Sequence, residues 1–243
     1  MTFGLIMAGG LGKRMGSTLP KVLHEINNKP MICYVIEKAF EIGCTEIGII
    51  VGKYYEQIKS KICEYYFNDT RIIYIEQNEP LGTAHAVKCA LKWMETNLDI
   101  KTSILILSGD VPLISVNTLK NLLVKDNSIL ITKTDKPDGC GRIIFNSNNN
   151  VEKIIEEKDC KPEQKNIKYI NCGLYNIKLT VLLETIHKIT NKNMSQEYYL
   201  TDMIEITNNL GYKINSYNLP ENNFIEIANI NTQEDLLYIK SII

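Results

Sequence analysis

Short apolar runs alternate with helix-like periods through the first half of the chain. Phe3–Ala8 is an apolar run that stops at a pair of glycines, which predicts a buried strand. The same kind of run predicts further strands at Ile47–Val51, Arg71–Ile75 and Ser103–Leu107. Helical spacing predicts helices from Pro30 to a stop at Gly43, at Tyr54–Tyr66 and at Thr83–Met94. Strands that are apolar throughout and alternate with helices are typical of a mainly parallel sheet covered on both faces. The pattern therefore predicts an α/β fold.

The second half of the chain has a less regular pattern. Helices are predicted at Leu119–Val124, Leu179–Ile189 and Tyr199–Asn208, and from Thr232 onwards after a capping signal. Extended segments are predicted at Ile129–Thr132, Tyr169–Tyr175, Tyr212–Tyr217 and Phe224–Ala228, and a hairpin at Arg142–Phe145 with Val151–Ile155. No internal repeat or low-complexity linker divides the chain, so we expect a single domain over residues 1–243.

Charge and cysteine content exclude several classes of protein. The 243 residues carry 27 Lys and Arg against 28 Asp and Glu, which argues against broad capture of nucleic acid or of a membrane surface. Seven cysteines form no CxxC pair, which predicts reduced thiols in a cytoplasmic protein. The apolar N-terminus lacks the basic start of a signal peptide, and no apolar run is long enough to span a membrane. We therefore expect neither nucleic acid nor a membrane as a partner.

A glycine-rich turn followed by two cations is the strongest candidate for chemistry. Glycines directly after a strand let backbone amides approach a phosphate. The spacing excludes a dinucleotide-binding GxGxxG, which needs glycine at Met15, and a Walker loop, which needs glycine at Met7. The chain has only three arginines, and one of them, Arg14, follows this turn together with Lys21. The segment predicts a phosphate site, with a tight turn and solvated basic residues as the alternative.

Two other segments follow predicted strands, where open α/β sheets bind their ligands. Asp110 comes directly after the most apolar strand, and one carboxylate there suits a Mg²⁺ ion whose other ligands are water and substrate phosphates. A helix-capping aspartate is the alternative. The loop from Gln77 to Thr83 offers a side-chain amide and backbone amides that could bind the edge of a base. The alternative is an ordinary loop that joins a strand to a helix.

Eight motifs along the chain resemble those of a known family. MAGGLGKRM, LPKVLH, EPLGTAHA, SGDVPL, GCGRI, IIEEKD, INCGL and QEYYLTD occur in this order and cover nearly the whole chain. The chain resembles the sugar nucleotidyltransferases, and among them the UDP-N-acetylglucosamine pyrophosphorylases. This resemblance implies a Rossmann-like (glycosyltransferase-A-like) three-layer sandwich with a mostly parallel mixed sheet. It also implies a nucleotide-binding half of about residues 1–110, a sugar-binding half of about 111–230 and a C-terminal helix over 231–243.

The resemblance implies Mg²⁺-dependent transfer of UMP from UTP to N-acetyl-α-D-glucosamine 1-phosphate, with release of pyrophosphate. Such a transfer depends on alignment and charge stabilisation, and the ionised attacking phosphate needs no protein nucleophile. The alternatives are transfer to another sugar 1-phosphate or a choline-type phosphate, and a non-catalytic regulatory subunit. The bifunctional bacterial members continue into a β-helix acetyltransferase, so we expect no acetyl transfer and no trimerisation through that domain here. Oligomeric state stays open.

The resemblance also assigns residues by position. Arg14, Lys21 and Asp110 would be catalytic, the two cations through the triphosphate and Asp110 through Mg²⁺. The other expected substrate-binding residues are Met7, Ala8, Gly9, Gly10, Gln77, Gly82, Thr83, Ser108 and Gly109 for the nucleotide, and Gly141, Glu156, Asn171 and Thr201 for the sugar, with Tyr198 and Tyr199 lining that end. Asn229 would be the second metal ligand and a further substrate contact, with Asn231 as its rival. His85 is expected to cap or pack the start of its helix.

Overall fold

The computed structural model describes residues 1–242, including every side chain in that range except that of Lys13. The first half contains β1 (Thr2–Met7), β2 (Glu25–Ile26), β3 (Lys29–Pro30), α1 (Met31–Glu41), β4 (Glu46–Val51), α2 (Tyr55–Tyr66), β5 (Ile72–Glu76), α3 (Thr83–Asn97) and β6 (Ser103–Ser108). The second half contains α4 (Val116–Leu123), β7 (Ser128–Lys133), β8 (Arg142–Phe145), β9 (Val151–Ile155), β10 (Tyr169–Lys178), α5 (Leu179–Ile186), α6 (Asp202–Asn209), β11 (Asn215–Leu219) and α7 (Gln233–Ile242).

One nine-stranded sheet takes strands from both halves of the chain. Its main order is β11-β7-β10-β6-β1-β4-β5, and the β8–β9 hairpin extends from β10. β1 pairs in parallel with β4 and β6, β4 with β5, and β11 with β7. β10 runs antiparallel to both β6 and β7. This mixed, mostly parallel sheet confirms the predicted α/β fold class.

Helices cover both faces of the sheet, which explains why the central strands are apolar at every position. In β1, Phe3 and Leu5 belong to a buried cluster with α3, α5 and α6. Ile6 points the other way and joins the cluster formed with α1, α2 and α4. Because successive strand residues face opposite sides, a strand covered on both faces loses the alternation of apolar and polar residues.

A third, smaller cluster holds the C-terminal helix in place. Leu236 and Ile239 of α7 pack with Met15, Ile26 and Met31 from the N-terminal part of the chain. The backbone N–H of Ile230 donates to the carbonyl oxygen of Asp110 at 3.2 Å. The segment just before α7 is thereby fixed beside the end of β6.

The structure corrects the prediction for Phe224–Ala228, which is not extended. Glu221–Ile227 form a 3-10 helix that begins after Pro220. The side chain of Asn223 donates to Glu226 within this turn, and Glu226 accepts the backbone N–H of Ser115. These two hydrogen bonds, one within the turn and one to a distant segment, outweigh an apolar alternation that is only a few residues long.

Other boundaries also shift. The strand predicted at Tyr212–Tyr217 lies at Asn215–Leu219, where it pairs with β7. The helix predicted from Tyr199 begins at Asp202. The helix predicted at Leu119–Val124 begins earlier, because the Ser115 hydroxyl caps it by accepting the Thr118 N–H. All seven cysteines are free thiols. Within residues 1–242 no helix has the length and apolar character needed to cross a bilayer.

Candidate active site

A cleft opens at the carboxyl ends of β1 and β6, where a parallel sheet exposes its strand-end loops. Many of the residues predicted to bind the nucleotide or metal line this cleft, namely Met7, Ala8, Gly9, Gly10, Lys21, Gln77, Gly82, Thr83, Ser108 and Asp110. Glu197 and Pro80, which the sequence did not single out, line it too. Gly109 packs beneath the cleft, where its N–H donates to the Met7 carbonyl oxygen at 3.0 Å.

Lys21 and Asp110 form an ion pair on one side of the cleft. The Lys21 ammonium contacts Oδ2 of Asp110 and donates to Oδ1 of Asn231 at 3.0 Å. The Ser108 hydroxyl donates to the other Asp110 oxygen at 2.5 Å. Asp110 is only 7% exposed, so this network fixes a carboxylate and an amide oxygen around one cation. Asn231 contributes that amide oxygen, and the predicted ligand Asn229 lies two residues away from it.

Arg14 lies outside the cleft lining. It is exposed on the 3-10 helix Lys13–Met15, which follows the glycine turn. A Cβ atom on Gly12 would lie 2.9 Å from the Lys21 Cβ, so the turn packs closely against Lys21. Of the two cations predicted from the sequence, the structure therefore places Lys21 in the cleft lining and leaves the Arg14 side chain exposed outside it.

The loop that begins at Gln77 is attached to a distant segment of the chain. Gly82 has a φ of +118°, and a Cβ atom there would lie 2.5 Å from the Tyr198 carbonyl oxygen, so only glycine fits. Backbone hydrogen bonds of 2.8 and 2.9 Å join Tyr198 to Leu81 and Ala84. The Thr83 hydroxyl accepts the Leu200 N–H at 2.9 Å. These contacts are the reason that α6 begins only at Asp202.

The residues predicted to bind the sugar form a second group that continues from this segment. The Thr201 hydroxyl donates to Oε1 of Glu156 at 2.8 Å. Gly141 faces both Glu156 and Asn171, since a Cβ atom built there would lie 3.6 Å from a side-chain atom of each. Asn171 donates from its side chain to the Tyr175 hydroxyl at 2.7 Å. Burial raises the pKa of Glu156 above its ordinary value.

Arg142 binds residues next to this second group, a role that the sequence did not reveal. Its side chain is fully buried and pairs with Glu157 at 2.5 Å. It also donates to the carbonyl oxygens of Cys140 and Lys165. Cys140, which precedes Gly141, and Glu157, which follows Glu156, therefore bind the same guanidinium.

Asp202 should make stability depend on pH in a specific window. Burial raises its pKa from an ordinary value near 3.8 to about 6, and the carboxylates of Glu156, Glu205 and Asp159 add to the shift. Between these values the folded protein holds a proton that the unfolded chain has lost, so the free energy of unfolding falls as pH rises through the window. Asp202→Asn stays neutral and avoids this loss.

We therefore expect Asp202→Asn to gain stability relative to wild type as pH rises from about 4.5 to about 8, by about 1–2 kcal/mol. Urea unfolding of both proteins at the two pH values measures this difference. A difference between variant and wild type that is the same at both pH values would contradict the assignment. Glu95→Gln, at an exposed position on α3, is the control for the loss of a surface carboxylate.

Comparison with known proteins agrees with the motif resemblance. The model of the nucleotidyl transferase family matches residues 3–222. The chain is 44% identical over 245 residues to a "Probable UDP-N-acetylglucosamine pyrophosphorylase" of Acanthamoeba polyphaga mimivirus, covering 98% of this chain and 94% of that protein. It is also 44% identical over 236 residues to the "Bifunctional protein GlmU" of Thermosipho melanesiensis, covering 93% of this chain and 49% of that protein.

A second bifunctional relative, from Thermoanaerobacter pseudethanolicus, is 40% identical over 238 residues and is again covered over 49% of its length. The chain therefore spans about half the length of these bifunctional relatives and nearly all of the viral one. The family model covers most of the chain, and the identity to full-length relatives is high. The chain belongs to the nucleotidyl transferase family.

Proposed function

We propose that this protein transfers UMP from UTP to N-acetyl-α-D-glucosamine 1-phosphate, giving UDP-N-acetylglucosamine and pyrophosphate. The observation that carries the proposal is the cleft at the ends of β1 and β6. There a glycine turn, the Gln77–Gly82 loop and the Lys21–Asp110 pair face one another. The name of the viral relative supplies the substrate class.

The nucleoside end of UTP would lie on the glycine turn, with the base against the Gln77 loop. Gly9 and Gly10 have no side chains to exclude it, and Thr83, Ser108 and Gly109 border the same space. Lys21 and Arg14 would bind the phosphates, because each is a basic side chain close to the turn. The main contribution of such cations to transfer is to stabilise the negative charge on the reacting α-phosphate.

The residues beside Lys21 also fit a Mg²⁺ ion. The ammonium of Lys21 shows that oxygens of Asp110 and Asn231 converge on one cation. No group of three or more His, Cys, Asp or Glu side chains that could hold a metal occurs within residues 1–242, so substrate phosphates would complete the shell. We propose Asp110 and Asn231 as the protein ligands, in preference to Asn229. Bound Mg²⁺ would neutralise charge on the triphosphate.

The sugar phosphate would bind at the second group, formed by Gly141, Glu156, Asn171 and Thr201, with Tyr198 and Tyr199 at its edge. Glu156 can accept hydrogen bonds from sugar hydroxyls, and Asn171 can both donate and accept. The segment from Tyr198 to Thr201 contacts Thr83 of the cleft and Glu156 of the second group. This link would hold the two substrates in the relative position that in-line attack requires. We propose one domain, because strands of the nucleotide-binding and sugar-binding halves share one sheet.

A panel of nucleoside triphosphates and phosphorylated acceptors, scored by pyrophosphate release with Mg²⁺ present, tests this function. We expect turnover with UTP and N-acetylglucosamine 1-phosphate above every other pair. Preference for glucose 1-phosphate, mannose 1-phosphate or a choline-type phosphate would replace the proposed acceptor. A chain that binds UTP without turning over any pair would be a non-catalytic subunit.

Asp110→Asn tests the metal site. We expect the rate to fall by about 10²–10³-fold, because the neutral amide loses the charge that attracts the cation. The Mg²⁺ concentration needed for half-maximal rate should rise as well. Asp126→Asn, at an exposed aspartate, is the matched control and should change neither value. Full activity of Asp110→Asn with unchanged dependence on Mg²⁺ would refute the site.

A further inference from the structure

His85 contacts the side chain that faces the proposed base site. It is the third residue of α3, and its Nδ1 atom lies 3.2 Å from Nε2 of Gln77. The same Gln77 nitrogen lies 3.3 Å from the Gly82 carbonyl oxygen. Gln77 is 7% exposed, so its amide is held inside the protein by these two neighbours.

The two contacts determine the positions of the nitrogen and the oxygen of the Gln77 side-chain amide. The Gly82 carbonyl can only accept, so the Gln77 NH₂ group must face it. The second hydrogen of that NH₂ group then points at His85 Nδ1, which must accept it and therefore carries no hydrogen. In this arrangement the imidazole hydrogen of His85 lies on Nε2. A flipped amide would set the Gln77 oxygen against the Gly82 oxygen.

With the amide in this orientation, the Gln77 oxygen lies on the side of Gly9. A Cβ atom built on Gly9, which lines the cleft, would lie 3.0 Å from Gln77 Oε1. This oxygen can only accept a hydrogen bond. Uracil presents a donor, N3–H, where cytosine presents an acceptor, so an acceptor on the protein discriminates between the two bases. A site built around a required hydrogen bond rejects an analogue that lacks it.

We propose that His85 is a positioning residue that fixes the Gln77 amide with its oxygen towards the base, and that it thereby makes the site select uridine over cytidine nucleotides. This inference rests on the proposed function, because it assumes that a nucleotide base binds in this cleft. His85 touches neither the base nor the phosphates and acts only through Gln77.

Two substitutions separate this role from simple packing. His85→Leu removes the acceptor, whereas His85→Asn keeps an acceptor oxygen close to the position of Nδ1. The kcat/KM ratio of UTP to CTP should fall by about 5–30-fold in His85→Leu, the range for loss of a neutral hydrogen bond that holds an orientation. The ratio should stay within about threefold of wild type in His85→Asn. In a Gln77→Ala background, His85→Leu should leave the ratio unchanged, because the residue through which it acts is gone.

A ratio in His85→Leu equal to that of wild type, with both nucleotides slowed alike, would overturn the proposal and leave His85 a packing residue. Failure of wild type to use any uridine nucleotide would instead refute the proposed function. The tautomer can also be read without variants, from ¹⁵N shifts of the three histidines in the intact protein. Hydrogen on Nε2 of His85 is expected, and hydrogen on Nδ1 would contradict the proposed orientation.

Discussion

Lys21→Met should lower kcat by about 10²–10³-fold, the usual cost of removing one charged group that stabilises a transition state. Lys21 lines the cleft and its ammonium is already directed between Asp110 and Asn231, beside the glycine turn. Methionine keeps most of the side-chain volume and removes the charge together with the hydrogen-bond donors of the ammonium. The loss should therefore appear mainly in the rate of transfer, with a smaller rise in KM for UTP.

Steady-state kinetics at saturating Mg²⁺ measure both values. Lys120→Met, at an exposed position on α4, is the control and should retain the wild-type rate. Thermal unfolding of Lys21→Met checks that the protein still folds, because the substitution leaves Asp110 without its ion-pair partner. A folded Lys21→Met with kcat within threefold of wild type would remove Lys21 from the proposed transfer step.

Arg142→Met should lower the free energy of unfolding by about 3 kcal/mol, because it leaves buried groups without their partner. The guanidinium is fully buried, and it holds Glu157 and the carbonyl oxygens of Cys140 and Lys165. Cys140 lies in the connection between β7 and β8, and Glu157 and Lys165 lie in the connection between β9 and β10. Without the guanidinium, the two connections lose this link, and the carboxylate and carbonyl oxygens lose a hydrogen-bond donor.

Arg71→Met is a matched control within the same chain. Arg71 is 57% exposed and pairs with Asp69 at the surface, so its removal should cost at most about 1 kcal/mol. Urea unfolding of the two variants gives the comparison. Arg142→Met should also raise KM for the sugar phosphate more than KM for UTP, because Gly141 and Glu156 adjoin the loops that Arg142 holds. Equal destabilisation by the two substitutions would show that burial of Arg142 contributes nothing specific.

The fold was predictable because its central strands carry a strong local signal. β1, β4 and β6 are apolar on both faces, and an α-helix lies between each of them and the next strand of the nine-stranded sheet along the chain. The strand-end residues Gly9 and Asp110 could be paired in advance for the same reason, since parallel neighbours end at one edge of the sheet. The order of strands in a parallel sheet is therefore enough to predict that Gly9 and Asp110 lie close together, although they are far apart in the sequence.

Contacts between loops could not be predicted in this way. The close approach of Gly82 to Tyr198 depends on two irregular segments meeting, and neither carries a periodic pattern. The choice between Asn229 and Asn231 depends on how α7 packs, which fixes the side that each asparagine presents. The 3-10 helix at Glu221–Ile227 depends on a hydrogen bond to the Glu226 side chain from the backbone N–H of Ser115, which is far away in the sequence.

Transfer of UMP, the central claim, is tested most directly by following two labels of UTP in the presence of N-acetylglucosamine 1-phosphate and Mg²⁺. A label on the α-phosphate should appear in UDP-N-acetylglucosamine, and a label on the γ-phosphate should appear in pyrophosphate, in equal amounts. That outcome requires attack on the α-phosphorus by the sugar phosphate. Release of the γ-label as inorganic phosphate, or an α-label that never joins the sugar, would contradict the proposed reaction.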